Sequence, residues 1–143
     1  MNQIEEIAKW QQERCLDKTG YDLDGANYRF MEEIFEMNGF EGTLAKKLAT
    51  SYSMYIKQER QAMGLVPTEH QIIDACNDIS VFANGDNLKL GYDPVSTMYE
   101  TLKEINSRKG SYNPETKKWE KVITGEEYTA DYSGCKYDRS SKA

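Results

Sequence analysis

Large apolar residues recur every three or four positions through most of the first 110 residues of this chain. That spacing places them on one face of an α-helix, because a helix turns by about 100° per residue. Two helix starts are well marked: Thr68 and Gln71 fit a capping box, and Asp93 followed by Pro94 fits an N-cap with proline at the first helical position. Alternating strand patterns are almost absent before residue 110. The sequence therefore predicts an all-α fold, a bundle of four or five helices.

The segment after the last predicted helix has a different character. Gly110 is expected to end that helix, and beyond it the chain is polar, with few aliphatic residues and irregularly spaced aromatic ones. Such a segment cannot build its own core, so it either lies extended across the helices with its aromatic side chains as anchors or is partly disordered. We expect a helical domain over residues 1–122 and an extended or partly disordered tail over residues 123–143.

Composition narrows the functional classes. With 24 acidic and 18 basic residues the net charge is −6, which disfavours a nucleic-acid or membrane-surface binder with a basic face. No apolar run approaches the roughly 20 residues that span a membrane, and no signal peptide is visible. A cytoplasmic protein is the expectation. Three cysteines far apart predict free thiols, with Cys76 expected to be buried.

Carboxylates sit inside two otherwise apolar helical segments. In "FMEEIFEMNGF" Glu32, Glu33 and Glu36 fall within an arc of about 100°, and in "DACNDISVF" Asp74 and Asp78 lie one turn apart. Acids gathered near a core persist when bases neutralise them or when they coordinate a cation, and Mg²⁺ prefers such oxygen ligands. The alternative, two ordinary amphipathic helices whose acids face water, stays open on this pattern alone.

A basic segment follows the second acidic helix. "KEINSRKGSYNPETKKWEK" carries basic residues near Asn106, and such groups suit the oxygens of a phosphorylated ligand. Basic residues near a helix C-terminus are also favoured by the helix dipole, so this feature taken alone is ambiguous. Its basic residues are Lys103, Arg108, Lys109, Lys117, Lys118 and Lys121, and Asn106 and Ser107 lie among them.

Taken together, these segments resemble the MazG-type all-α nucleoside triphosphate pyrophosphohydrolases, in particular the phage-encoded and phosphoribosyl-ATP-pyrophosphohydrolase-like members. The resemblance covers residues 4–123. "IAKWQQER" is similar to the family's opening helix, "MEEIFE" to its EExxE signature, and "NSRKG" with "KKWEK" to its last helix and lysine loop. The second acidic motif departs from the family: the usual ExxD is replaced by a DxxxD spacing, with Ala75 where a strict motif has Glu.

The resemblance implies a hydrolase that cleaves the α–β phosphate bond of a (d)NTP to give (d)NMP and pyrophosphate. It implies that Glu33, Glu36, Asp74 and Asp78 hold Mg²⁺, with Mn²⁺ as a possible substitute, and that Glu32 acts as general base or holds a second ion. The candidate phosphate-binding residues Arg108, Lys109, Lys118 and Lys121 would then steady the outgoing pyrophosphate, and Asn106 would hydrogen-bond a phosphate or the ribose. A homodimer or homotetramer, working in the host cytoplasm if the chain is phage-encoded, is also implied.

Two other functional hypotheses remain open at this point. One is a non-catalytic nucleotide- or protein-binding member of the fold, such as a phage regulator or counter-defence protein, which the altered second motif keeps open. The other is a purely structural bundle. Trp10, Tyr28 and Phe82 are candidates for stacking on a base, although aromatic residues on apolar helix faces more often belong to the core. His70 has no partner for a metal site and is assigned no role.

Overall fold

The computed structural model describes residues 1–137. Over that range the chain is mostly helical, with one small two-stranded sheet. The all-α prediction is confirmed as a mostly helical fold, while the sheet was not predicted. The helices are α1 (Gln3–Glu13), α2 (Leu23–Met37), α3 (Gly42–Ala62), α4 (Glu69–Lys89) and α5 (Pro94–Ser107), and the strands are β1 (Lys109–Asn113) and β2 (Lys118–Val122).

The predicted helix starts are the most accurate part of the sequence analysis. Gln71 N donates to Thr68 Oγ1 at 3.2 Å, and Thr68 N donates to the Gln71 side chain at 2.9 Å, so the capping box forms. Asp93 caps α5 by accepting from Val95 N and Ser96 N, with Pro94 as its first residue. These caps form as predicted because they depend on residues within a single turn.

The chain divides into two compact units, which we describe separately. The first comprises residues 20–72, and here α2 packs against α3. Small residues four positions apart make the buried face of α3, and Ala45 and Ala49 have no exposed surface at all. An ion pair joins the two helices: Arg60 donates to Asp24 at 2.9 Å, and Lys57 lies 3.7 Å from the same carboxylate.

The second unit comprises residues 1–19 and the described residues from 73 onward. Antiparallel strands β1 and β2 form a hairpin in which Tyr112 pairs with Trp119. The guanidinium of Arg14 lies between two indole rings, 4.5 Å from Trp10 and 5.0 Å from Trp119. Gly110 makes room for this packing, because a Cβ there would lie 2.6 Å from the Trp119 ring. A cation–π sandwich therefore ties the hairpin to α1.

Residues 123–137 form no helix or strand beyond an isolated bridge between Tyr92 and Lys136. Aromatic side chains attach this segment to α5: Tyr128 donates to Glu100 at 2.6 Å, and the hydroxyl groups of Tyr132 and Thr101 lie 2.9 Å apart. The hydrogen bond to Glu100, together with burial and the charge of that carboxylate, raises the pKa of Tyr128 to about 12. Residues 138–143 of the predicted tail lie outside the described residues.

The buried interior is small in both units. Within residues 1–137 the buried apolar residues are Ala26, Ala45, Ala49, Leu102 and Cys135. Cys135 is thus the buried thiol, whereas Cys76, which we expected to be buried, is only half-buried. None of the described helices is long and apolar enough to cross a membrane.

Candidate functional site

The acidic residues of α2 occupy two different environments. Glu33 and Glu36 are exposed. Glu32 is half-buried and accepts a hydrogen bond from Tyr28, one turn earlier. Burial, followed by the charge and the hydrogen bond of Glu32, raises the pKa of Tyr28. Glu32 therefore already has a partner within its own helix, which distinguishes it from Glu36.

The two candidate metal ligands of α4, Asp74 and Asp78, are both exposed. Asp74 and Asp78 project from a helix in which none of the 21 residues is buried. Within residues 1–137, neither carboxylate has an ion-pair or hydrogen-bond partner, and the same is true of the Glu36 carboxylate. The sequence placed these acids near a core, but here they lie in contact with water, which carries no desolvation cost.

Over the described part of the chain, no group of three or more His, Cys, Asp or Glu side chains is assembled that could hold a metal ion. Glu32, Glu33 and Glu36 belong to one unit, and Asp74 and Asp78 belong to the other. Each pair by itself offers carboxylate oxygens of the type that Mg²⁺ takes, one or two at a time, with water completing its shell. The residues are thus chemically suited to Mg²⁺.

The predicted phosphate-binding residues fall at the end of α5 and on the hairpin. Asn106 is exposed and contributes to a cavity of about 240 Å³ that Lys9, Trp10 and Glu13 also line. Arg108 is half-buried and lies 3.7 Å from Glu104, so its charge is already partly balanced. The end of α5 therefore offers an amide and a paired guanidinium rather than a cluster of unpaired cations.

The hairpin separates the three lysines. The sequence analysis had placed Lys109 at the end of the last helix and Lys118 and Lys121 in the loop after it. Directly opposite residues of antiparallel strands share a face, so the pairs Lys109–Val122 and Asn113–Lys118 put Lys109 and Lys118 on the same face. They stand at opposite ends of the strands, about 13 Å apart along the hairpin. Lys121 points to the other face, which it shares with Trp119. A single phosphate group cannot contact all three lysines while the hairpin keeps this register.

The sequence did not predict the packing of Arg14 between Trp10 and Trp119. The Nε atom of Arg14 is buried and has no hydrogen-bond partner among the described residues, while Arg108 lies close enough to add repulsion. Burial, the largest cause, lowers the pKa of Arg14, and the nearby Arg108 adds to this. The tryptophan four residues before Arg14 was the available signal, since that spacing stacks two side chains on one helix face. The second indole comes from the hairpin and gave no local signal.

The three aromatic candidates for base stacking also differ from one another. Trp10 donates its indole N–H to the Ile105 carbonyl at 3.4 Å and stacks on Arg14, so one of its ring faces is already covered. Tyr28 is half-buried. Phe82 is 69% exposed, so the expectation that it belongs to the core is wrong for the chain by itself.

Comparison with known proteins gave no match, whether with family models, curated proteins or solved structures.

Proposed function

We propose that this protein is a Mg²⁺-dependent nucleoside triphosphate pyrophosphohydrolase, a MazG-type hydrolase that converts a (d)NTP to (d)NMP and pyrophosphate. The observation that carries the proposal is the set of exposed carboxylates without ion-pair partners on two helices: Glu36 on α2, and Asp74 and Asp78 on α4. Exposed carboxylates without partners can exchange water for a cation at little cost, whereas paired ones would first have to break a salt bridge.

In this proposal Glu33, Glu36, Asp74 and Asp78 hold Mg²⁺. The bound metal would polarise the phosphates and lower the pKa of the attacking water. The Tyr28 hydrogen bond orients Glu32 and supports a role for it as a general base or as the ligand of a second ion. Lys109 and Lys118 would contact the pyrophosphate from one face of the hairpin, and Asn106 and Arg108 would do so from the end of α5. Lys121, on the other hairpin face, fits this role least well.

The homodimer or homotetramer and the cytoplasmic location that accompany the resemblance are part of the same proposal. The alternative is a non-catalytic binding protein, and one specific observation favours it: α4 exposes large apolar side chains, among them Val81 at 67% and Phe82 at 69%. Exposed apolar surface of this kind usually marks a site of protein association.

Measuring the products released distinguishes the pyrophosphohydrolase from the non-catalytic binding protein. The purified chain is incubated with Mg²⁺ and each common NTP and dNTP, and pyrophosphate and orthophosphate are measured separately. We expect pyrophosphate with at least one nucleotide, abolished by EDTA and lowered by more than about 100-fold in Glu36→Gln and Asp78→Asn, since even outer-shell changes at metal sites cost 10–100-fold. Glu41→Gln, an exposed carboxylate near Glu36 that makes no capping hydrogen bond, is the matched control and should keep full activity.

The absence of pyrophosphate with every nucleotide would refute the proposed pyrophosphohydrolase activity. If Mg²⁺-dependent nucleotide binding persisted without turnover, the binding protein would be the correct description. Activity that survives both substitutions would place the chemistry elsewhere in the chain.

A further inference from the structure

A cavity of about 380 Å³ lies within the second unit, between the end of α4, the turn that follows it, α5 and the tail. None of the residues assigned to the proposed function lines it. Asn87, which does line it, follows Asp78 by nine residues, or about 13.5 Å along the axis of α4. The volume is near the lower end of the range for small-molecule sites, so it suits a ligand of one or two rings.

The walls of this cavity are mostly apolar and partly aromatic. Tyr92, Met98 and Tyr132 line it together with Leu90. Aromatic rings pack well against tyrosine, and methionine sulfur makes favourable contacts with ring edges. Leu90 and Tyr132 are 75% and 42% exposed, so a ligand in the cavity would remove apolar surface from water. These walls favour a ligand with a planar aromatic body.

The ligand must also be uncharged, because every residue that lines the cavity is uncharged. A charged group would lose its hydration there without gaining an ion-pair partner. The N-terminus of α5 offers no anion site either, since the amides of residues 95–97 already donate to oxygen atoms of Asp93. The lining therefore selects against the phosphate groups of a nucleotide.

Asn87 supplies the first polar group for recognition. Its side chain is half-buried and has no hydrogen-bond partner within residues 1–137. A primary amide carries a donor and an acceptor side by side, so it can form two hydrogen bonds with a ligand edge of the same kind. A carboxamide has such an edge and is neutral.

A pair of hydroxyl groups supplies the second polar group. The Tyr132 and Thr101 oxygen atoms lie 2.9 Å apart, and either can be the donor. When Thr101 donates, the Tyr132 proton is available to a ligand acceptor. When Tyr132 donates, its oxygen can accept from a ligand donor. The pair can therefore satisfy a ligand group of either kind.

The tail holds Tyr132 in place from both sides. Before it, Tyr128 donates to Glu100 at 2.6 Å, and after it, Asp93 N donates to the Cys135 carbonyl at 2.8 Å. The wall that the tail contributes is thus fixed without a ligand. Binding to a fixed wall loses little conformational entropy, which favours affinity even for a small ligand.

We propose that this cavity binds a small, uncharged aromatic carboxamide, whose ring packs against Tyr92, Met98 and Tyr132 and whose amide pairs with Asn87. The proposal goes beyond the proposed function, because its ligand is neither a nucleotide nor a metal ion. Its test contains neither of these, so the two proposals fail separately.

Three related probes test the class of ligand in titrations followed by NMR. Benzamide has the ring and the whole amide, acetophenone has a methyl group in place of the amide nitrogen, and benzoate has a charged oxygen there. We expect benzamide to bind the wild-type chain at least about fivefold more tightly than either, because the others leave Asn87 unpaired or bury a charge. The absence of benzamide binding, or equal binding of benzoate, overturns the proposal.

Matched asparagine variants test the assigned amide contact. Asn87→Leu is expected to bring benzamide and acetophenone to equal affinity, since only benzamide uses the second hydrogen bond of the side chain. Asn77→Leu, an exposed position on the same helix outside the cavity, should keep the wild-type preference. Binding of acetophenone to Asn87→Leu confirms that the cavity is intact. A preference for benzamide that persists in Asn87→Leu overturns the assignment.

Two further variants test the walls. Tyr132→Phe removes only the hydroxyl group and is expected to weaken benzamide binding by about two- to tenfold. Tyr99→Phe, on an exposed tyrosine of α5 outside the cavity, should have no effect. Met98→Trp fills the cavity and should abolish binding of both benzamide and acetophenone. Benzamide binding with wild-type affinity in Met98→Trp would place the ligand elsewhere and overturn the proposal.

Discussion

Helices α2 and α4 have similar compositions but very different surroundings. Both combine large apolar side chains with several carboxylates and few bases. Helix α2 packs against α3, whose buried face consists of small residues, and an ion pair from Asp24 to Arg60 crosses between the two helices. Helix α4 buries none of its residues. The comparison shows that the composition of an acidic, apolar helix does not predict which surface it packs against. That surface is determined by its own shape and charge as well as by those of the helix.

The largest change in the free energy of unfolding is expected from a substitution that disrupts the packing of α2 against α3. Ala49 has no exposed surface, and Ala49→Leu would force three additional carbon atoms into that contact. We expect the free energy of unfolding to fall by about 1–3 kcal/mol, as overpacked cores usually show. Chemical denaturation measures the change.

Ala62→Leu is the matched control for this substitution. Ala62 lies on the same helix but is exposed, so the free energy of unfolding should change by less than about 0.5 kcal/mol. Equal effects at the two positions would show that α3 does not depend on its small residues to approach α2.

A smaller effect of opposite sign is expected in α4. Gly85 lies inside the helix, and a Cβ there would meet nothing within 4 Å, so Gly85→Ala should stabilise the protein by about 0.5–1 kcal/mol. In α2 the corresponding change is less favourable, because a Cβ on Gly25 would lie 2.6 Å from the Asp22 carboxylate. Thermal unfolding of both variants measures the difference. A destabilised Gly85→Ala would contradict the open space that the structure shows around this position.

The smallest predicted effect depends on pH. The hydrogen bond from Arg60, which is the largest cause, and the nearby cationic charges lower the pKa of Asp24 below its usual value. A lowered pKa in the folded state stabilises the fold at pH values above the unfolded-state pKa of about 3.9, and this contribution disappears as pH falls through the folded-state value. The difference in stability between wild type and Asp24→Asn should therefore be largest near pH 7 and shrink below about pH 4.

Denaturant titrations across that pH range measure this difference. Glu13→Gln is the control: its partner Lys9 is 3.7 Å away in an exposed pair on α1, and such pairs contribute little. An Asp24→Asn difference that stayed constant below pH 4 would show that the ion pair does not act through the charge of Asp24.

The sequence predicted the features that depend on neighbouring residues. The caps at Thr68 and Asp93 formed as expected, because each involves residues within one turn. The hairpin was missed because Gly110 was interpreted as a helix end. In the structure α5 stops at Ser107, and Gly110 instead admits the Trp119 ring. The register between β1 and β2 places Lys121 and Lys118 on opposite faces of the hairpin. The spacing of the lysines in the sequence does not predict this register.

The candidate site was predicted as a list of residues but not as an arrangement. Helical spacing correctly places Asp74 and Asp78 one turn apart on one helix. It carries no information about whether that helix packs against its own chain, so the expectation that these acids lie near a core failed. In the same way, Cys76 and Phe82 have the spacing and composition of core residues, yet the single chain leaves Phe82 exposed.

Hydrogen exchange at the backbone amides of α2 and α4 tests the central claim most directly, namely that the chain packs α2 against α3 and leaves α4 unpacked. The measurement is made at a chain concentration at which sedimentation gives the 16.5-kDa monomer. The account predicts slow exchange in α2 and fast exchange in α4, because protection from exchange follows packing. Equal protection of the two helices in the monomer would contradict the account.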